Sequence, residues 1–340
     1  MFATMEAARV EELHLASDPQ TGLRAIIAIH NTNLGPALGG CRYLAYADEQ
    51  SAARDAVRLA RGMSYKAALA GLALGGGKAV IISPPQLASR EALFEAFGRF
   101  VDKLGGRYIT AVDSGTSSAD MDCIARHTRH VTSTTQGGDP SPHTALGVFA
   151  GIRATAEARL GSADLKGLRI AVQGLGHVGY ALAEHLSAAG AELLVSDIDE
   201  GRLQRAVERL GAQPVSSEVL LGMPCDILAP CGLGGAINPQ TVGQLRCAAV
   251  AGAANNQLDS PEMGDQLAAR GILYAPDYVI NSGGLIFVAL QHQGLSPAEI
   301  TAHLSRIGAR LSEIYAEAQA ERRSPARVAD MLAERLIYGS

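Results

Sequence analysis

Two lysines, Lys66 and Lys78, flank the nearly uncharged run AALAGLALGGG within the stretch Gly62–Lys78, GMSYKAALAGLALGGGK. An ammonium surrounded by Ala, Leu and Gly loses its hydration, and a second cation nearby adds repulsion, so such surroundings favour a neutral amine. A lysine that can shed its proton near neutral pH is a general base. Gly39, Gly40, Gly62, Gly71, Gly75, Gly76 and Gly77 crowd the same part of the chain, which points to close backbone approach around an enclosed site. A buried turn whose two lysines reach out to water fits the same residues. Asp113 follows the apolar run YITAV and precedes Ser114-Gly115-Thr116. A carboxylate at a strand end suits catalysis, and an Asx-turn explains it equally well.

A second constellation lies in LKGLRIAVQGLGHVGYALAEHLSAAGAELLVSDID. Leu168–Gln173 reads as a strand, Gly174-x-Gly176-x-x-Gly179 as the turn into a helix, and Glu192–Ser196 as a second strand ending at Asp197. His177 and Val178 fill the turn. In that frame the motif predicts dinucleotide binding, with the pyrophosphate at the helix N-terminus and Asp197 on the ribose hydroxyls. Asp197 would repel a 2′-phosphate, which favours NAD over NADP.

The elements that must position these groups fit a chain of 340 residues, long enough for two domains. Hydrophobic content of 47% and a mean hydropathy of +0.10 indicate a globular protein. Net charge −5 argues against nucleic acid and anionic membranes as partners. The opening MFATMEAARVEELHL is acidic and has no apolar core, so neither signal peptide nor anchor is expected. No window approaches a membrane span. Cys41, Cys123, Cys225, Cys231 and Cys247 form no C-x-x-C pair, which suggests reduced thiols, a cytoplasmic setting and no zinc site. His127 and His130 fall three apart on an expected helix without a further ligand in register, so no metal is expected.

Along the chain, residues 22–30 read as a strand, Glu49 to Ala60 as a helix and AVII as a buried strand. Ser89 caps a helix that Gly105 ends. STTQGGDPSP, residues 133–142, is the sharpest change in composition and reads as a domain crossing. A helix from Thr144 to Leu160 follows it. CDILAP, CAAVAGA and ILYAP continue a parallel sheet. YVINSGGLIFVAL is read as strand passing into helix. One long helix is expected from Pro297 to about Glu321, with Ile300, Leu304, Ile307, Leu311, Ile314 and Ala318 inward. A final helix starts at Ser324-Pro325, with Val328, Met331 and Leu332 inward.

In order, GPALGGCR, GMSYKAALAGLALGGGK, VDSGT, QGLGHVG, VAGAANNQL and APDYVINSGG resemble the glutamate/leucine/phenylalanine/valine dehydrogenase family over almost the whole chain. The likeness is greatest to the shorter leucine, valine, phenylalanine and tryptophan dehydrogenases. The resemblance implies an α/β protein of two domains, an N-terminal substrate domain and a Rossmann-type doubly wound dinucleotide domain, with a cleft between them. The expected boundaries are 1–138 plus 325–340 for substrate binding and oligomerisation, and 139–324 for NAD. It implies that Lys78 is the base that activates water, that Lys66 pairs with the substrate α-carboxylate, and that Asp113 handles the amino-group proton. Asn256 would lie near nicotinamide and substrate, and Thr144 near the carboxamide. The side-chain pocket maps to Leu38, Ala111, Leu285 and Val288, bordered by Gly39, Gly40 and Met63. Ser114 replaces the family's usual valine, and Ser282 replaces an alanine.

The implied reaction is reversible NAD-dependent oxidative deamination of an apolar, branched-chain L-amino acid to a 2-oxo acid and ammonia, by a homo-oligomer. An aromatic amino acid dehydrogenase is the alternative within enzymes. A non-catalytic NAD-binding regulator is the alternative outside them, opposed by the intact Lys66, Lys78 and Asp113.

Overall fold

The computed structural model describes residues 1–339 and divides into two compact units. The first holds Met1–Asp139, Val288–Gly294 and the chain from Ala333 on; the second holds Pro140–Phe287 and Leu295–Leu332.

The first unit is built on strands β1 (Glu12–Asp18), β2 (Leu23–Asn31), β3 (Ala37–Leu44), β4 (Gly75–Ile82) and β5 (Tyr108–Val112). They form one sheet in the order β1-β2-β4-β3-β5. β1 and β4 pair antiparallel with β2, whereas β3 runs parallel to β4 and β5. Successive side chains on a strand alternate between faces. One face, with Ile27, Ile29, Cys41, Ala79 and Ile81, packs on Leu93, Phe94, Phe97, Met121 and Ile124 from helices Arg90–Asp102 and Ser118–Ala125. The other face, with Ile26, Ala28, Val80 and Ile82, packs on Ala52, Ala53, Ala56, Val57 and Ala60 of helix Glu49–Leu69. With both faces covered, every residue of β4 is buried.

Helix Glu49–Leu69 is longer than expected, because it runs through Gly62 and carries Lys66 in its last turn. A glycine inside a helix costs up to about 1 kcal/mol, and the burial of Tyr65, Ala67 and Ala68 beyond it offsets that. Ser89 caps Arg90–Asp102 by accepting from the Ala92 N–H. GPALGGCR, too glycine-rich to read as a strand, supplies β3.

The second unit carries β6 (Arg169–Gln173), β7 (Glu192–Ser196), β8 (Gln213–Pro214), β9 (Cys225–Pro230), β10 (Cys247–Val250) and β11 (Leu273–Tyr274). They form one sheet in the order β11-β10-β9-β6-β7-β8, with every pair parallel. Counted from β6 as the first strand this is 6-5-4-1-2-3, the doubly wound arrangement with its reversal between β6 and β9. The fold class expected from sequence, two α/β units with a doubly wound sheet in the second, is what the structure contains.

Three local readings need correction. YVINSGG contains no strand; helix Asp277–Ile280 leads through Asn281 and Ser282 into helix Gly283–His292. The expected single helix from Pro297 is two, Pro297–Leu304 and Arg306–Glu321, divided at Ser305, although its inward stripe is buried throughout. On helix Pro325–Tyr338, Val328, Ala329, Ala333 and Ile337 are buried, while Met331 and Leu332 are only half-buried. Among the described residues no helix is long and apolar enough to cross a membrane.

Candidate active site

The β3 register sets Leu38 beside Gly76 and Ile109, Gly40 beside Ala111, and Arg42 beside Val80. Register partners in a parallel sheet share a face, so Leu38, Gly40, Arg42, Lys78 and Ala111 all lie on the face that Val80 presents to helix Glu49–Leu69. Lys78 is 6% exposed and stands mid-strand in β4. Its Nζ lies 2.6 Å from Oδ2 of Asp113, just beyond β5. The charged group found against Lys78 is thus a carboxylate. Burial pushes the Asp113 carboxyl up, but Lys78 and then Arg42 outweigh it and hold it below the usual carboxylate range.

Of the seven glycines near the lysines, Gly62 and Gly71 have open space where a Cβ would stand. Gly39, Gly40, Gly75, Gly76 and Gly77 are packed, and a Cβ on Gly76 would fall 2.0 Å from the backbone nitrogen of Ser64. Gly39, Gly75, Gly76 and Gly77 let β4 approach its neighbours, and Gly40 leaves room for Asp113 beyond β5. Lys66 and Met63 are half-buried on the same helix as Ser64. Leu38 and Ala111 are buried, as is Val288 of the first unit. Leu285 is also buried, in the first turns of helix Gly283–His292 and in the second unit. The Ser114 side chain is exposed and its carbonyl accepts from Tyr43 N–H, so the hydroxyl leaves Asp113 undisturbed. Thr116 Oγ1 accepts from the Asp113 N–H at 2.9 Å and donates to Cys41 O, fixing the turn after β5.

In the second unit, Gly174 has φ +97° and its N–H donates to Ser196 O at 2.7 Å. Gly176 precedes helix His177–Ala188, and no side chain caps that helix start. A Cβ on Gly179 would fall 2.0 Å from Gly174 O, whereas one on Gly176 would meet nothing within 4 Å. The turn thus folds tightly on itself beneath an open space lined by uncapped N–H groups, which suits a pyrophosphate. His177 is exposed and Val178 half-buried at this edge. Asp197 accepts from Leu175 N–H at 2.5 Å and from Asp199 N–H at 2.8 Å, so it braces the turn as well as facing it. Arg202 lies 3.8 Å from Asp197 and 3.4 Å from Asp199, one cation against two carboxylates. These residues fit a dinucleotide. Burial pushes the Cys231 thiol up to about 12, which agrees with a packing role beside Gly179.

Thr144 Oγ1 donates to Pro140 O at 3.2 Å inside helix Ser141–Leu160. Asn256 is exposed with φ +51°, and its carbonyl accepts from Gly235 N–H. The sequence reading missed the amides that hold its loop. Buried Gln257 Nε2 donates to Gly252 O and Ala254 O, and Asn281 Nδ2 to Ala253 O and Asn255 Oδ1. Their place inside NNQ and INSGG was the available signal. The Ser282 hydroxyl donates to Val279 O at 2.7 Å, so the extra oxygen is satisfied locally. Arg42, the one charge in GPALGGCR, was also missed. His127 and His130 lie beyond helix Ser118–Ala125, not on it, and no metal-holding cluster occurs among the described residues.

Comparison with known proteins agrees with this geometry. Residues 8–130 match the family model described as Glu/Leu/Phe/Val dehydrogenase, dimerisation domain, and residues 192–335 match the model for glutamate/leucine/phenylalanine/valine dehydrogenase. The chain is 47% identical to leucine dehydrogenase of Geobacillus stearothermophilus, over 99% of this chain and 93% of the relative. It is 44% identical to phenylalanine dehydrogenase of Bacillus thermotolerans, over 96% and 88%. The solved L-tryptophan dehydrogenase of Nostoc punctiforme superposes with a TM-score of 0.91 at 40% identity, covering 100% of this chain and 99% of that one. The family uses a nicotinamide cofactor. With both halves matched and the residues above in place, this chain belongs to the Glu/Leu/Phe/Val dehydrogenase family and is an L-amino acid dehydrogenase resembling leucine dehydrogenase.

Proposed function

We propose that this enzyme oxidatively deaminates an aliphatic, branched-chain L-amino acid with NAD, giving the 2-oxo acid and ammonia, and that it also runs in reverse. The carrying observation is the ion pair of buried Lys78 with half-buried Asp113 on a sheet face that also carries Leu38, Gly40 and Ala111. Lys66 holds the α-carboxylate. Asp113, ionised beside two cations, takes the proton from the substrate ammonium so that the nitrogen lone pair can assist departure of hydride from Cα. When bound, the nicotinamide accepts that hydride. Lys78, having released its ammonium proton to solvent, takes a proton from the water that attacks the resulting iminium, passes it to the nitrogen, and takes up the hydroxyl proton as the carbinolamine collapses and ammonia leaves. The fixed cations stabilise the oxyanion that forms.

Leu38, Ala111 and Val288 supply an aliphatic surround for the substrate side chain. A γ-carboxylate there would be unpaired at a cost of several kcal/mol, so glutamate is disfavoured. The glycine turn with Gly174, Gly176, His177, Val178 and Gly179 would hold the pyrophosphate, Asp197 the ribose, and Thr144 and Asn256 the nicotinamide end. Asp197 and Asp199 together favour NAD over NADP. Similarity to phenylalanine and tryptophan dehydrogenases supports aromatic specificity as the second reading. Assembly into an oligomer through the first unit is supported by the dimerisation domain matched over residues 8–130. The test is incubation with NAD and L-leucine: reduced cofactor, ammonia and 2-oxo acid should accumulate in equal amounts, and no reduced cofactor with any aliphatic L-amino acid overturns the reading.

A further inference from the structure

Arg42 uses its planar fork to join two carboxylates on different elements. Its Nε donates to Asp113 Oδ2 at 3.1 Å and its Nη1 to Asp55 Oδ2 at 2.9 Å. The Asp113 oxygen is the same atom that Lys78 Nζ approaches at 2.6 Å. Asp55 is held in turn by the Tyr46 hydroxyl at 2.7 Å and Arg58 at 2.9 Å. It sits on helix Glu49–Leu69, eleven positions before Lys66, which is about three helical turns. A guanidinium can satisfy both acceptors in one plane, whereas an ammonium is a point charge with no fixed fork.

We propose that Arg42 is a positioning residue for the reaction, anchoring Asp113 to the helix that bears Lys66 and holding its carboxylate against Lys78. The inference rests on the dehydrogenase reading above and on the role given there to Asp113. The groups in contact with the Asp113 carboxylate are Lys78 from β4 and Arg42 from β3; Cys41 of β3 and Tyr108 of β5 lie on the opposite face of the sheet and feel its charge from there. Burial pushes the Cys41 thiol and the Tyr108 hydroxyl up, so neither is charged, and Lys78 and Arg42 are the cations that oppose the burial of Asp113. Losing Arg42 removes one of them, which raises the pH at which Asp113 ionises.

The experiment compares kcat and KM against pH, with L-leucine and NAD, for the unmodified enzyme, Arg42→Gln and Arg42→Lys, alongside Tm and NAD affinity. Arg42→Gln should lower kcat at least tenfold and move the acid limb of the profile up by about one pH unit or more. Arg42→Lys keeps the charge without the fork, so the acid limb should return while kcat stays low. An Arg42→Gln enzyme with kcat within twofold and an unmoved limb overturns the proposal, as does full recovery of kcat in Arg42→Lys. If Arg42→Gln does not fold, Arg42→Lys decides by the same criterion. An unmodified enzyme that reduces no NAD would instead defeat the dehydrogenase reading, a separately visible result.

Discussion

Lys78 stands in β4 and Asp113 directly follows β5, and the two meet at 2.6 Å although those strands are not neighbours. β3 runs between β4 and β5, so the two outer strands are about 9.5 Å apart. The pair can close only across a position of β3 with no side chain, and Gly40 is that position: a Cβ there would fall 2.7 Å from the Asp113 Cβ and 2.7 Å from Val112 O. Gly40→Ala should therefore displace Asp113. We expect kcat to fall at least tenfold with a modest loss of Tm; kcat within twofold of normal would mean that the pair does not depend on this gap.

Lys78→Ala removes the proposed base and leaves the nucleotide turn intact. Its kcat should drop by about 10²–10⁴-fold with NAD affinity unchanged, as measured by steady-state kinetics and direct titration. Lys66→Ala should instead raise KM for the amino acid strongly, and an unchanged KM would show that the two lysines have been assigned the wrong way round.

Cofactor choice is tested at Asp197 with Asn, which keeps an acceptor for the Leu175 and Asp199 N–H groups while removing the charge. The ratio of kcat/KM for NADP to that for NAD should rise tenfold or more. A ratio that stays put assigns discrimination to another group, with Asp199 the first to examine.

His30 supplies a pH signature of folding. It is fully buried, its Nδ1 lies 2.8 Å from Ser64 Oγ, and burial, with Arg61 adding to it, pushes its pKa down to about 4. Above the ordinary value of 6.5 the ring is neutral folded or unfolded, and its full contribution is present. As pH falls from 6.5 toward 4 the unfolded chain takes up the proton first, costing about 3 kcal/mol of stability in all. Between pH 7 and 4.5, denaturant unfolding should therefore show wild type losing about 2 kcal/mol more than His30→Gln. Parallel losses in the two proteins would contradict this.

Much of the framework was legible because it is written in local patterns. Tyr108–Val112, Glu192–Ser196 and Cys225–Pro230 are apolar runs bounded by turn residues, and Ser89 is a capping signal with one meaning. The chemistry of Lys78 and Asp113 was visible as residue types, but their pairing depends on strand order, which no local pattern encodes. Arg42 stayed hidden for the same reason, since both its carboxylates come from other elements. The helix expected to stop at Ala60 is carried by packing through Gly62, and the glycine-dense GPALGGCR, given no element from sequence, supplies β3. Ser305, which divides the long helix, carries no breaker signal at all.

The central claim, oxidation of an aliphatic amino acid with NAD, is tested most directly by kcat/KM for L-leucine, L-valine, L-phenylalanine and L-tryptophan on the unmodified enzyme. Each buried methylene is worth only about 1 kcal/mol, so measurable activity on phenylalanine is expected. L-Leucine or L-valine should nevertheless give the highest value, because the proposed pocket is aliphatic and Leu38 narrows the sheet face that it shares with Lys78. An aromatic substrate preferred by more than tenfold would contradict the account.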